Sequence, residues 1–214
     1  MTYCISDIHG EYKRFRRMLE LIHFSDGDDL YVLGDGIDRG PDGVEVLKYI
    51  MEKSNIRMLL GNHEWALLMA MRSLTPTDAE KLIQLHDGES TAKALESLSK
   101  KEKTEILNYL EELPEYLEIE VDGRKFHLVH GFPGKTTKER LFGRPEKKLL
   151  TRPLFGKTVI VGHTPVQELT GDFANLPFIW HGPGILDIDC GCGHNYPDKM
   201  LACMRLEDMK EFYV

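Results

Sequence analysis

Cysteine is scarce in this chain: Cys4, Cys190, Cys192 and Cys203 are its four thiols in 214 residues. So few, so irregularly placed, do not make the framework of a small secreted scaffold. They fit a reducing compartment, and a cytoplasmic protein is expected. Long apolar runs are missing as well. The chain reaches Asp7 after a few apolar residues, too soon for a signal peptide. No stretch approaches the length that spans a bilayer, so no membrane partner is expected. Nor is there an excess of basic charge: 27 Lys and Arg stand against 35 Asp and Glu, a net charge of −8. A sequence-independent nucleic-acid binder needs the opposite balance to neutralise phosphates. Nucleic acid is therefore not expected as a partner, although a locally positive pocket could still take one phosphate. Linkers rich in Ser or Pro and internal repeats are lacking too. Residues 1–214 read as one domain, long enough to bury a sizeable core.

What is present is an alternation of strand and helix. Short apolar runs at Tyr3 to Ser6, Leu30 to Leu33 and Ile56 to Leu60 each end in a cluster of Gly, Asp or Asn, as strands do. Between them, Tyr12, Phe15, Met18, Leu19 and Ile22 have helical spacing, as do Val44, Leu47, Ile50 and Met51. The order βαβαβα implies a largely parallel sheet with helices packed on it. From about residue 75 to 115 charged residues and Leu at helical spacing take over, which reads as a helical excursion from the sheet. Tyr116 to Val121 and Lys125 to His130 flank Asp122-Gly123, a hairpin signal. Further strands are expected at Thr158 to Val161, Ile185 to Asp189 and Met200 to Leu206. The fold class is α/β, with two packed sheets flanked by helices.

The chemistry sits immediately after the strands. Asp7-Ile8-His9-Gly10, Gly34-Asp35-Gly36-Ile37-Asp38-Arg39-Gly40, Gly61-Asn62-His63-Glu64, His130-Gly131 and Gly162-His163 all place polar groups there. Carboxyl ends of strands are where open α/β sheets bind ligands, so these clusters are expected to converge on one sheet edge. Asp, His and Asn without thiolate suit manganese, iron or zinc and do not suit a Cys-based structural zinc site. A carboxylate such as Asp35 can bridge two ions. Two ions some 3.5–4 Å apart would clamp an in-line displacement and make a bridging hydroxide available as nucleophile near neutral pH. Arg39 can grip a phosphate through two parallel hydrogen bonds. His63 is left over to protonate the leaving alkoxide, with Asp38 able to orient it.

Together, Asp-x-His-Gly, Gly-Asp-x-x-Asp-Arg-Gly, Gly-Asn-His-Glu, His-Gly and Gly-His-Thr, in this order from Asp7 to Thr164, resemble the phosphoprotein phosphatases of the calcineurin-like metallophosphoesterase superfamily. Among these the chain is most similar to small bacterial and phage serine/threonine phosphatases. The resemblance implies Asp7, His9 and Asp35 as ligands of one metal, and Asp35, Asn62, His130 and His163 as ligands of a second. It implies His63 as general acid, Asp38 as its partner, and Arg39, Asn62 and Arg152 as phosphate contacts, with Arg140 and Arg144 competing with Arg152. The expected cofactors are two divalent ions, manganese first, with iron or zinc as alternatives.

Some positions depart from the family pattern. Ser6 replaces a Gly, Leu60 stands where eukaryotic members carry Arg, and Phe132 replaces a small residue and is expected to narrow the pocket. Other features carry blander readings. Asn62 could be only a helix N-cap, and Asp7 and Asp35 only turn formers. His23, His86, His181 and His194 lack motif partners and read as surface or loop residues. Cys190 and Cys192 lack a second pair at ligand spacing and read as small buried apolar groups.

Three functions remain. The sequence ranks a serine/threonine protein phosphatase first, acting on phosphorylated protein or peptide. A symmetrical diadenosine tetraphosphate hydrolase comes second, resembling this chain in Arg39-Gly40-Pro41 and Leu60-Gly61-Asn62-His63. A non-catalytic phosphate-binding scaffold comes last, since no ligand is lost. The ranking of the first two turns on Asp38 and Glu64, because the symmetrical hydrolases typically carry a non-acidic residue at the first position and Asp at the second.

Overall fold

The computed structural model describes residues 1–73, 75–145 and 156–214. Ten strands and eight helices lie along them. The first strands and helices are β1 (Thr2–Ile5), α1 (Tyr12–Leu21), β2 (Asp29–Val32), α2 (Gly43–Met51), β3 (Ile56–Met58) and α3 (Asn62–Met71). The helical excursion follows as α4 (Pro76–Leu85), α5 (Glu89–Glu96) and α6 (Lys100–Glu112). Then come β4 (Tyr116–Val121), β5 (Arg124–Val129), α7 (Thr137–Phe142), β6 (Thr158–Val161) and α8 (Val166–Thr170). The chain ends with β7 (Trp180–Gly182), β8 (Ile185–Asp187), β9 (Ala202–Arg205) and β10 (Lys210–Tyr213).

The strands form two five-stranded sheets, ordered β10-β9-β1-β2-β3 and β4-β5-β6-β8-β7. In the first sheet β1, β2 and β3 run parallel, with antiparallel β9 and β10 on the β1 side; in the second, β5, β6 and β8 run parallel between antiparallel edge strands β4 and β7. The hairpin turn falls where expected. Asp122 and Gly123 both take positive φ, +48° and +76°, as a two-residue turn between twisted strands requires.

Period-2 alternation sorts the core into two layers. Tyr3, Ile5, Leu30 and Val32 point to one face of the first sheet. There they meet Phe15 and Met18 of α1, Val44, Leu47 and Ile50 of α2, and Leu67 and Leu68 of α3. Cys4, Tyr31 and Leu33 point to the other face and meet Phe126, Leu128, Ile160 and Leu186 of the second sheet. The thiols Cys4, Cys190, Cys192 and Cys203 are all free and buried, as small apolar groups would be. The sequence reading missed β7 and β10, which are short edge strands of three and four residues.

Two carboxyls, Asp187 and Asp189, are fully buried behind the site, and each keeps one oxygen without a hydrogen-bond partner among the described residues. Burial, then the neighbouring Asp189 carboxylate, pushes the Asp187 carboxyl well above the usual range. A carboxyl with a raised folded-state pKa stabilises the fold fully only below its unfolded value. That stability is lost as pH rises toward the folded value. Asp187→Asn keeps the oxygen that accepts the Asp189 N–H (3.1 Å) and cannot ionise. Its melting temperature is expected to match wild type near pH 4 and to exceed it by a margin that widens to pH 8. Thermal melts across that range check this; a constant or shrinking margin would show that Asp187 is not the group responsible.

Candidate metal centre

Six of the candidate residues sit in a left-handed turn of the backbone beyond a strand end. Asp7, His9, Asp35, Asp38, Arg39 and His163 all have φ between +47° and +68°, a left-handed conformation uncommon outside Gly and tolerated best by Asp, Asn and His. Such reversals turn side chains straight into the cleft. Glycines clear the way: Gly34 (φ +88°) runs against the backbone of Gly61, and a Cβ on Gly162 would collide with Ser6 and Asp7.

The clusters converge, but on a different place from the single sheet edge expected. Asp7 and His9 follow β1, Asp35 follows β2, and Asn62 and His63 open α3 after β3. His130 and His163 follow β5 and β6 of the other sheet. The site is therefore a seam between two sheets, formed by the carboxyl ends of parallel strands in both. Asn62 is not the N-cap of α3; Gly61 holds that position.

Asp35 is the centre. Its Oδ1 accepts the backbone N–H of His63 (3.1 Å). Its Oδ2 faces three imidazoles: His130 Nε2 at 3.4 Å, and His9 and His63 Nε2 at 3.7 Å each. Two overlapping groups result, His9–Asp35–His63 and Asp35–His130–His163, each with its ligand atoms within 4.8 Å of one another. Asp7 borders the first group, with Oδ1 3.8 Å from His9 Nε2. Its Oδ2 is held by the His163 N–H (3.0 Å) and by the Ser6 hydroxyl, so Ser6, a departure from the family, gives Asp7 a donor. Asn62 Oδ1 adds an oxygen to the second group, 2.9 Å from His130 Nε2.

This donor set fits divalent cations. Nδ1 of His9 donates to the Ile37 carbonyl (3.0 Å) and Nδ1 of His130 to the Leu33 carbonyl (2.7 Å). Both bonds fix the tautomer that turns an Nε2 lone pair into the seam. At His130 that lone pair meets two further oxygens, of Asn62 and Asp35. Acceptors facing acceptors need a positive charge between them, either a second proton or an ion. Accordingly, although burial opposes its charge, the Asp35 carboxylate raises His130 to about 10. Burial likewise opposes ionisation of Asp35, but His130 and then His63 hold its carboxyl well below the usual range. His163 is pushed down to about 3 by burial and then by His130, and burial drives His9 down as well.

His63 and Asp38 meet as a pair: His63 Nδ1–H donates to Asp38 Oδ2 at 2.8 Å, with both residues buried. Burial works against a charged His63, yet Asp35 and Asp38 raise it above its ordinary value. Glu64 does more than mark a subclass. Its buried carboxylate accepts the N–H groups of Asp35 (2.8 Å), Gly36 (2.9 Å) and Gly61 (3.2 Å), tying the loop after β2 to the start of α3.

Sequence reasoning missed a support for this loop that comes from the helical excursion. Thr91 Oγ1 accepts the Asp38 N–H (3.0 Å), the Asp87 carbonyl accepts the Arg39 N–H (3.1 Å), and Ser90 donates to the Gly40 carbonyl (2.9 Å). His86, read as a surface residue, stands with its ring centroid 5.2 Å from that of His63 and its Nδ1 3.4 Å from Asn62 Nδ2. His194, also read as a loop residue, lies 2.6 Å from Arg39 Nη1. Phe132, expected at the pocket, packs on the cluster of Val129, Val159, Val161 and Ile185. Phe142 stands beside His86, His163 and Trp65. Arg152 falls outside the described residues. Of its competitors, Arg140 pairs with Glu115 and Arg144 with Glu168 (2.6 Å). Among the described residues no helix is long and apolar enough to cross a membrane.

Two mixed sheets thus lie under helices, with Asp and His side chains that could hold metal gathered at their seam. The chain belongs to the calcineurin-like phosphoesterase family, whose model matches residues 2–205. It is 34% identical over 131 residues to a symmetrical bis(5'-nucleosyl)-tetraphosphatase of Buchnera aphidicola, a match covering 60% of this chain and 43% of that protein. A protein of the same name from Wigglesworthia glossinidia brevipalpis is 49% identical over 69 residues, 31% of this chain and 25% of the relative. The chain thus spans less than half the length of these curated relatives. A crystal structure of a metallophosphoesterase from Sphaerobacter thermophilus superposes with a TM-score of 0.64 at 22% identity, over 99% of this chain and 86% of that one.

Proposed function

We propose that the chain hydrolyses dinucleoside tetraphosphates symmetrically, through a dinuclear metal centre at the sheet seam. This reverses the order of substrates that Asp38 and Glu64 suggested. The observation that carries it is the name shared by relatives at 34% and 49% identity, both symmetrical tetraphosphatases. Two positions are a narrower basis for substrate choice than that likeness.

Two divalent ions, when bound, supply an acidified water and positive charge for the phosphoryl oxygens. Asp35, shared by both groups of potential ligands, would hold both. We assign His9 and Asp7 to one side and His130, His163 and Asn62 to the other. Arg39 presents its guanidinium to the non-bridging oxygens of the phosphate. Asp38 holds His63 by Nδ1, which leaves Nε2 to deliver a proton to the departing oxygen.

The Asp38–His63 pair favours a second reading, a phosphomonoesterase acting on phosphorylated protein. An alkyl phosphate has a poor leaving group and gains most from an oriented acid, whereas a polyphosphate leaves as a stable anion. One comparison separates the readings: kcat/KM on diadenosine tetraphosphate and on phosphoserine and phosphothreonine peptides, with products analysed. The proposal expects the dinucleotide to be preferred and ADP to be its sole nucleotide product. Preference for peptide, or release of ATP with AMP, would displace it. Under either reading, Asp38→Ala is expected to depress peptide dephosphorylation more than dinucleotide cleavage. Equal losses on the two substrates would mean that Asp38 does not act through His63.

A further inference from the structure

The assignments above leave His194 without a task, although it stands in the cleft. We infer that His194 is a positioning residue: it accepts a hydrogen bond from Arg39 and so aims the guanidinium that grips substrate phosphate. The inference rests on Arg39 as a phosphate contact but on neither choice of substrate.

The contact has one chemical sense. Arg39 Nη1 lies 2.6 Å from His194 Nε2, and a guanidinium has no acceptor, so the imidazole nitrogen must accept. The same Nη1 lies 3.1 Å from His9 Nε2. That nitrogen has one lone pair, and once it serves as a metal ligand it can no longer accept from Arg39. His194 belongs to neither ligand group and remains available. The other neighbour, the exposed Asp87 carboxylate, is 3.8 Å from Arg39 Nε, beyond hydrogen-bond length.

His194 is itself braced. Its ring stacks on Tyr196, with centroids 4.8 Å apart and planes 10° from parallel. The Tyr196 hydroxyl donates to Glu168 Oε1 at 2.8 Å, and Glu168 Oε2 accepts from Arg144 Nη1 at 2.6 Å. The chain of contacts therefore runs from Arg39, on the loop after β2, to Arg144, on the loop after α7. Gly193 presses the loop onto the site, since a Cβ there would strike the His9 ring. Beside Arg39 and His194 opens a cavity of about 530 Å³ with Ser90 and Asn195 on its wall, so the aimed guanidinium faces open volume. A planar fork matched to phosphate geometry loses its advantage when tilted, which is why a fixed acceptor behind it matters.

The test uses the metal-loaded protein, with inorganic phosphate as the probe, titrated by calorimetry alongside steady-state kinetics. His194→Ala is expected to weaken phosphate binding and raise KM by about tenfold, the scale of one hydrogen bond to a charged group, with a smaller change in kcat. His194→Gln should recover most of the lost affinity, because its amide oxygen can accept from the guanidinium. In an Arg39→Ala background, His194→Ala should add nothing further. Unchanged phosphate affinity in His194→Ala, a Gln variant as weak as the Ala variant, or additive losses in the double variant would each overturn the inference. Arg39→Ala with unchanged phosphate affinity would instead strike the underlying assignment of Arg39. That outcome is distinguishable from the others because it needs no change at His194.

Discussion

Removing divalent metal is expected to abolish turnover, and manganese is expected to restore it best. Every candidate ligand offers oxygen or nitrogen, with no thiolate among them, so chelators should strip the site more readily than they strip a Cys-based one. Protons compete for the same atoms. In the metal-free chain the His130 imidazole is held up at about 10 by the Asp35 carboxylate against its burial, so it carries its second proton at neutral pH. An ion entering the Asp35–His130–His163 group must displace that proton. Metal affinity should therefore rise with pH between 6 and 9 and fall as the solution is acidified. Elemental analysis, activity and metal titration at several pH values check this together. Full activity in a preparation shown to be metal-free would end the dinuclear reading, and pH-independent affinity would remove His130 from the ligand set.

His63→Asn is expected to keep metal but to lower kcat by about 10²–10⁴-fold, the range for loss of a general acid. Asp38 fixes the ring at 2.8 Å through Nδ1, and the raised proton affinity of His63 keeps a proton available near neutrality. The loss should shrink for aryl phosphates, whose leaving groups need little protonation. His63 also lies in one ligand group with His9 and Asp35, so metal content must be measured beside rate. If aryl and alkyl esters suffer equally and metal is lost, His63 is a ligand and not the acid.

The residues legible in the sequence are those whose placement is decided locally. Asp7, Asp35 and His130 follow apolar runs within one or two residues, and a strand end fixes where such a side chain goes. The parallel order of β1, β2 and β3 was legible for the same reason, because amphipathic helices separate them. His86 and His194 were not, since no neighbour in sequence says that the loop before α5 and the loop before β9 fold back onto the cleft. Thr91 was hidden in the same way: its hydroxyl looks like any helix surface group until the Asp38 N–H meets it 53 positions away. Convergence on one sheet edge was the wrong geometry because strand ends predict direction, not which sheet a strand joins. Substrate choice was least legible. Glu64 turns out to be occupied with backbone amides, a duty set by the loop it anchors, so it says little about what the cleft accepts.

The left-handed backbone at Asp7, His9, Asp35, Asp38, Arg39 and His163 sets selection for stability against selection for activity. A left-handed residue with a Cβ strains the chain by about 1 kcal/mol or more, and glycine relieves it. A population of variants screened only for melting temperature would thus tend to acquire glycine or asparagine at such positions, Arg39 first, because Asp and His tolerate this conformation better than Arg does. Each gain would erase a group the cleft uses. Libraries meant to harden this protein should therefore hold those six positions fixed and seek their improvements elsewhere, on the exposed faces of α4 and α6.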